Sequence, residues 1–161
     1  MVHQVQSKLA VQSIKGKEAA SLDTGITMDS KHITTEAIVD TYKATHNIFE
    51  GLIKEVRELS RKKPDASLSK GKVKIINRVL EDLRSVLEKE PEYKFLDLLD
   101  DEELPQTSDA VLIMVQYESG LESFKNRYYR IARNKHNQYD TRHMWVTERG
   151  IASLGKDEVL E

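Results

Sequence analysis

Residues 108–135, SDAVLIMVQYESGLESFKNRYYRIARNK, decide how the fold is read. Within them Ala110, Met114, Tyr117, Leu121, Phe124, Tyr128 and Ile131 recur at alternating steps of four and three. That spacing lines side chains along one helical face, with coiled-coil-like pitch. Thr107, Ser108 or Asp109 offers an N-cap oxygen just upstream. The pattern predicts a helix over about 108–135.

Two stripes of the same kind precede it. Ile38, Tyr42, Thr45, Phe49, Leu52, Val56 and Leu59 predict a helix over about 35–62, opened by Thr34 or Thr35 with Glu36 at the positive end and closed by Pro64. Gly51 lies inside it at a cost of roughly 1 kcal/mol against alanine, so it marks either a close helix approach or simple tolerance. Val73, Ile76, Leu80, Leu83 and Leu87 predict a second helix over about 70–89. Tyr93, Phe95, Leu96, Leu98 and Leu99, between Pro91 and Pro105, read as a short accessory helix that closes the end like a lid. The expected fold class is all-α, an antiparallel up-down-up bundle of three long amphipathic helices with irregular N- and C-terminal segments. Residues 1–33 form an N-terminal arm, 34–136 the bundle and 137–161 a C-terminal extension.

Composition supports a bundle with solvated outer faces, because 32% of the residues are charged and only 6% are aromatic. A chain of 161 residues suffices for one core and one domain. The absence of cysteine excludes disulfides, thiolate metal sites and cysteine nucleophiles, and fits a cytoplasmic setting. The first twenty residues are interrupted by Gln4, Gln6, Lys8, Gln12, Lys15 and Lys17, which is unlike a signal peptide or anchor. The longest apolar run, 110–115, falls far short of the ~20 residues a bilayer requires, so no membrane is expected among the partners.

A net charge of −2 dictates no partner, but the distribution of charge is uneven. In an up-down-up bundle, Arg57, Arg61, Lys62 and Lys63 at the end of the first helix meet Lys70, Lys72 and Lys74 at the start of the second. They also meet Lys125, Arg127, Arg130, Arg133 and Lys135 at the end of the third. Glu36, Asp40, Glu88, Glu90, Glu92, Asp97, 100–103 and Asp109 would then form an acidic opposite pole. Helix dipoles account for basic C-termini and acidic N-termini, but not for lysines that open the second helix. The residues expected to meet nucleic acid or another polyanion are therefore Arg61, Lys62, Lys63, Lys70, Lys72, Lys125, Arg127, Arg130, Arg133 and Lys135. Tyr128, Tyr129 and Tyr139, interleaved with basic residues and with Asn134 and Asn137, would suit base stacking.

Arg133 followed by Asn134, with His136 and His143 downstream, resembles the signature of the HEPN family of helical-bundle ribonucleases and nucleotide-binding proteins: an arginine, a polar residue and, several positions on, a histidine. The resemblance implies a histidine acting as general acid/base and an arginine stabilising phosphorane-like charge, with Arg130, Arg133 and His136 as the candidates. Gln138 occupies the place where the usual spacing puts the histidine. Residues 145–151 also look like the wing-to-helix turn of winged-helix DNA-binding proteins, although no short recognition helix precedes them. His3, His32, His46, His136 and His143 show no metal-ligand spacing, and the glycines form neither a P-loop nor a dinucleotide turn. Neither metal nor cofactor is expected. These features describe a non-catalytic subunit of a larger assembly whose basic pole docks on nucleic acid or an acidic protein surface. The alternatives are a HEPN-like ribonuclease and a head-to-tail self-associating scaffold, so a protein partner is expected and nucleic acid and homo-oligomers stay open.

Overall fold

The computed structural model describes residues 32–161; the arm expected over 1–33 lies outside the described residues except for His32 and Ile33. Helix α1 (Glu36–Lys62) opens where the Thr35 hydroxyl accepts from the Ile38 N–H. It buries Val39, Tyr42, Thr45, Phe49, Ile53 and Val56. The sequence stripe named Ile38, Leu52 and Leu59, which are only partly buried. A straight helix turns every 3.6 residues rather than 3.5, so the buried line drifts off a strict heptad. Helix α2 (Lys70–Val86) is capped by the Ser69 hydroxyl, which accepts from Lys72 N–H, and buries Val73, Ile76, Val79, Leu80, Leu83 and Val86.

The expected lid is a single turn of 3-10 helix, Pro91–Phe95, and the chain beyond it is extended. That extended segment runs back along α2, held by Asn77, whose amide donates to Leu99 O at 2.8 Å and accepts from Leu99 N–H at 2.9 Å. One side chain thus satisfies both backbone groups of a residue with no ladder partner, while Leu96 and Leu99 enter the core. The segment ends beside the α1–α2 loop, where Leu68 N–H donates to Pro105 O and Thr107 N–H to Ala66 O.

Helix α3 (Thr107–Tyr128) therefore starts at the end where α1 finishes, and runs parallel to α2. Gln106 occupies the N-cap position without a side-chain bond; the Thr107 hydroxyl, expected as a cap, instead donates to Lys63 O at 2.7 Å. The antiparallel up-down-up arrangement is thus corrected. A return segment of extended chain places the third helix where an antiparallel bundle would not.

The all-α expectation is overturned beyond Tyr128. Strands β1 (Tyr129–Asn134), β2 (Asn137–Trp145) and β3 (Glu158–Leu160) form an antiparallel sheet in the order β2-β1-β3, and the short helix α4 (Glu148–Ala152) lies between β2 and β3 in the chain. The segment expected to be helical to residue 135 and irregular after it is a hairpin. Its turn is built by two asparagines: Asn134 Oδ1 accepts from His136 N–H and Asn137 Oδ1 from Tyr139 N–H. Central β1 finds partners for its backbone on both sides, which offsets the loss of helical hydrogen bonds. Between Arg133 and Asn134 the register shifts, leaving 138–140 as a bulge.

On one face of the sheet lie Tyr129, Ile131 and Arg133 with Trp145, His143 and Thr141. On the other face Arg142 pairs with Glu158 and donates to Ser153 O just after α4. Two backbone links tie the sheet to the helices, Val146 N–H to Tyr128 O and Thr34 N–H to Val146 O. The Thr147 hydroxyl adds a bond to Glu36. No helix among the described residues is long and apolar enough to cross a membrane.

Two glycines predict opposite outcomes. A Cβ on Gly150 would sit 2.2 Å from the Trp145 carbonyl oxygen, a backbone atom that cannot swing aside, so Gly150→Ala should destabilise by roughly 1–3 kcal/mol. Gly51 is exposed, with nothing within 4 Å of an added Cβ, so it is tolerated rather than required. Gly51→Ala should stabilise by about 0.5–1 kcal/mol. Thermal melts of the two variants beside the parent check both signs.

Candidate functional site

Where the sheet meets α1, an open cleft of about 420 Å³ is lined by Tyr42, Lys43, His46, Asn47, Lys125, Tyr129 and Trp145. Such a volume lies within the range of about 300–1,000 Å³ typical of small-ligand sites. One wall is a single stretch of α1, in which Tyr42 and His46, and likewise Lys43 and Asn47, are one turn apart and so share a side of the helix. The other wall combines Lys125 from the end of α3, Tyr129 from β1 and Trp145 from β2. The hairpin register sets Tyr129 opposite Trp145, on the same face of the sheet.

The aromatic rings form a continuous array. Trp145 lies 5.1 Å from Tyr42 in an edge-on arrangement and 5.0 Å from Tyr129. His143 stacks on Tyr129 at 5.5 Å and 19°, and His46 lies 4.9 Å from Tyr42. Behind them Phe124, fully buried, touches both Tyr42 and Trp145 and ties the array to the helical core. Lys125 Nζ sits 5.7 Å from the Tyr129 ring, within reach of a cation–π contact.

The electrostatics of the cleft are one-sided. Lys43 and Lys125 stand on opposite walls, and no carboxylate is among the lining residues. Glu50, one turn beyond His46, approaches it at 3.6 Å. Burial, with Glu50 as the second cause, raises the Tyr42 phenol above its ordinary value, so it remains a neutral hydroxyl at physiological pH. Among the described residues no group of three or more histidines or acidic residues is placed to hold a metal ion.

The residues singled out in the sequence are scattered. Arg61, Lys62, Lys63, Lys70 and Lys72 share one end of the molecule, exposed at the end of α1 and the start of α2. The acidic residues 100–103 and Asp109 return to that same end, so it is mixed in charge. Lys125, Arg127, Arg130, Arg133 and Lys135 belong to the opposite end, and the single basic pole is not assembled.

Within that second group, only Lys125 lines the cleft. Arg127 is clamped between Glu90 and Glu92. Arg130 donates to the main-chain oxygen of Glu161, and Arg133 to its side chain at 2.6 Å. Lys135 is exposed in the hairpin turn. His136, also exposed there, faces Asp157 at 3.4 Å. Arg130 and Arg133 are three positions apart on a strand and so project from opposite faces of the sheet.

Sequence reasoning missed Tyr42, Lys43, His46, Asn47 and Trp145 as a group. Tyr42 lies on the core stripe of the first helix, where it is indeed buried, and Trp145 in a stretch whose pattern suggests one short strand or turn. Two signals existed: the Tyr-Lys and His-Asn pairs one helical turn apart, and the alternating Tyr129-x-Ile131 pattern. No local motif joins them, because the two walls lie 78 or more residues apart in the chain (Asn47 to Lys125). No family model, curated protein or solved structure matches this chain.

Proposed function

We propose that the protein is a non-catalytic, cytoplasmic binding subunit that holds single-stranded nucleic acid, with the aromatic and lysine-lined cleft as its contact surface. The observation that carries this reading is the composition of the cleft: aromatic rings and a lysine on each wall, without a lining carboxylate. Base stacking on aromatic side chains is sequence-tolerant and contributes about 1–3 kcal/mol per base, while lysines follow the phosphates. A duplex keeps its bases stacked inside and offers this cleft only its backbone.

The other readings draw less from the geometry. A HEPN-like ribonuclease needs an arginine and a histidine facing one site, but Arg130 and Arg133 are engaged by Glu161 and His136 stands in the hairpin turn. A head-to-tail scaffold needs oppositely charged ends, and 100–103 lie at the same end as Lys63 and Lys70.

Fluorescence anisotropy with labelled single strands and duplexes tests the proposal. The parent should favour the single strand, and Lys43→Gln with Lys125→Gln should weaken it while flattening the salt dependence. Loss of the one phosphate contact that the two lysines share should lower the slope of log affinity against log salt by about 0.7. No nucleic-acid binding at low salt, or capture of an acidic protein alone, would falsify the reading.

A further inference from the structure

We infer that the cleft seats one nucleotide unit, its base against the Tyr129–Trp145 rings and its phosphate between Lys43 and Lys125. This inference rests on the nucleic-acid reading above and specifies what one binding step recognises. Five of the seven lining residues have a part in it. Tyr129 and Trp145, 5.0 Å apart on adjacent strands, present an apolar wall from the sheet. Phe124 backs Trp145 at 6.0 Å, so the wall is braced before any ligand arrives.

Asn47 faces this wall from α1, exposed and with no side-chain hydrogen bond among the described residues. Its amide both donates and accepts, which is what the polar edge of a base requires. The two lysines occupy opposite walls, so a phosphate between them receives charge from both sides, and no lining acid competes for either. A base-free polyanion meets the lysines alone, and an uncharged aromatic meets the rings alone. A nucleotide meets both, so the two parts should reinforce each other.

Trp145 is the only tryptophan in the chain, and it lines the cleft, so its intrinsic fluorescence reports occupancy directly. The probes are adenosine monophosphate, adenosine, inorganic phosphate, polyphosphate and short oligoadenylate. Adenosine monophosphate should quench Trp145 saturably and bind more tightly than adenosine or phosphate, and oligoadenylate should bind more tightly still. Tyr129→Leu, which keeps apolar bulk against Trp145, should weaken adenosine monophosphate by roughly tenfold, about the loss of one stack. The same variant should leave polyphosphate binding, followed by competition, within about twofold, since that rests on charge.

Oligoadenylate that binds by anisotropy without altering Trp145 fluorescence would overturn the seat and leave nucleic-acid binding standing. Polyphosphate that competes as well as oligoadenylate, with no response to adenosine monophosphate, would overturn it too. Binding by none of the probes would sink both the seat and the function.

Discussion

Arg127→Gln should lower the unfolding free energy by about 3 kcal/mol, the lower end of the roughly 3–5 kcal/mol expected when a buried ion pair loses one partner. Arg127 leaves α3 in its last turn and meets Glu90 at 2.7 Å, with Glu92 as a second partner. The Glu90 side chain is only 7% exposed, so without the guanidinium its carboxylate stays largely out of water with the Tyr128 hydroxyl as a remaining donor. The lower end applies because Tyr128 still donates at 2.9 Å and Arg127 itself keeps 29% exposure. Arg127→Lys should fall between parent and glutamine variant, since an ammonium keeps the charge but not the forked geometry. Urea titration gives the ranking, and a parent-like midpoint for Arg127→Gln would dismiss the clamp.

The same clamp has a pH signature with a definite sign. Hydrogen bonding from Arg127 is the largest effect on Glu92 and holds its carboxyl below the ordinary 4.5, against the opposing effect of burial. A depressed carboxylate contributes stability that is fully present above its unfolded value and is lost as pH falls through its folded value. The stability gap between parent and Arg127→Gln should therefore be constant near neutrality and narrow below pH 4.5.

Arg127 also shows where sequence reading stopped. It lies in a basic run, and a linear reading counts it with Arg130, Arg133 and Lys135 as surface charge. Glu90 and Glu92 lie more than thirty residues earlier in the chain, and only the 3-10 turn at Pro91–Phe95 sets them beside the end of α3. The three helices were legible because each buries a periodic face, and a periodic face is a local property. Their arrangement was not, because it turns on Asn77 bonding Leu99 across an extended return.

The failure at Tyr128 has a similar cause. Ile131 falls on the next heptad position, so the apolar spacing continues past the end of the helix. Tyr129, Ile131 and the strand positions between them fit a period of two equally well over so short a span, and the contest is decided by β2 and β3 pairing on either side. The asparagines at 134 and 137 were the local evidence for a turn. The cleft depends on the hairpin and on the start of the first helix together. Its sheet wall exists only if 129–145 is a hairpin, and its helix wall comes from Tyr42 and Lys43 at the far end of the described chain.

Phe124→Ala should be as damaging as Arg127→Gln or worse, with a loss of about 3–5 kcal/mol, against total stabilities of roughly 5–15 kcal/mol for domains of this kind. Phe124 is fully buried, and its ring lies 4.8 Å from Tyr128, 5.6 Å from Tyr42 and 6.0 Å from Trp145. Truncation opens a cavity on which two of the cleft's rings rest. The effect should reach the cleft before global unfolding: near-UV circular dichroism from Trp145 should fade at lower urea than the far-UV helical signal. In the parent the two signals should be lost together. Phe124→Leu retains most of the volume and should cost less than about 1.5 kcal/mol, with the two transitions again coincident. Phe95→Ala, at a ring 59% exposed outside the core, should change stability by no more than about 0.5 kcal/mol. Coincident transitions in Phe124→Ala with a loss no larger than that of Phe95→Ala would mean that the cleft stands independently of the helical core.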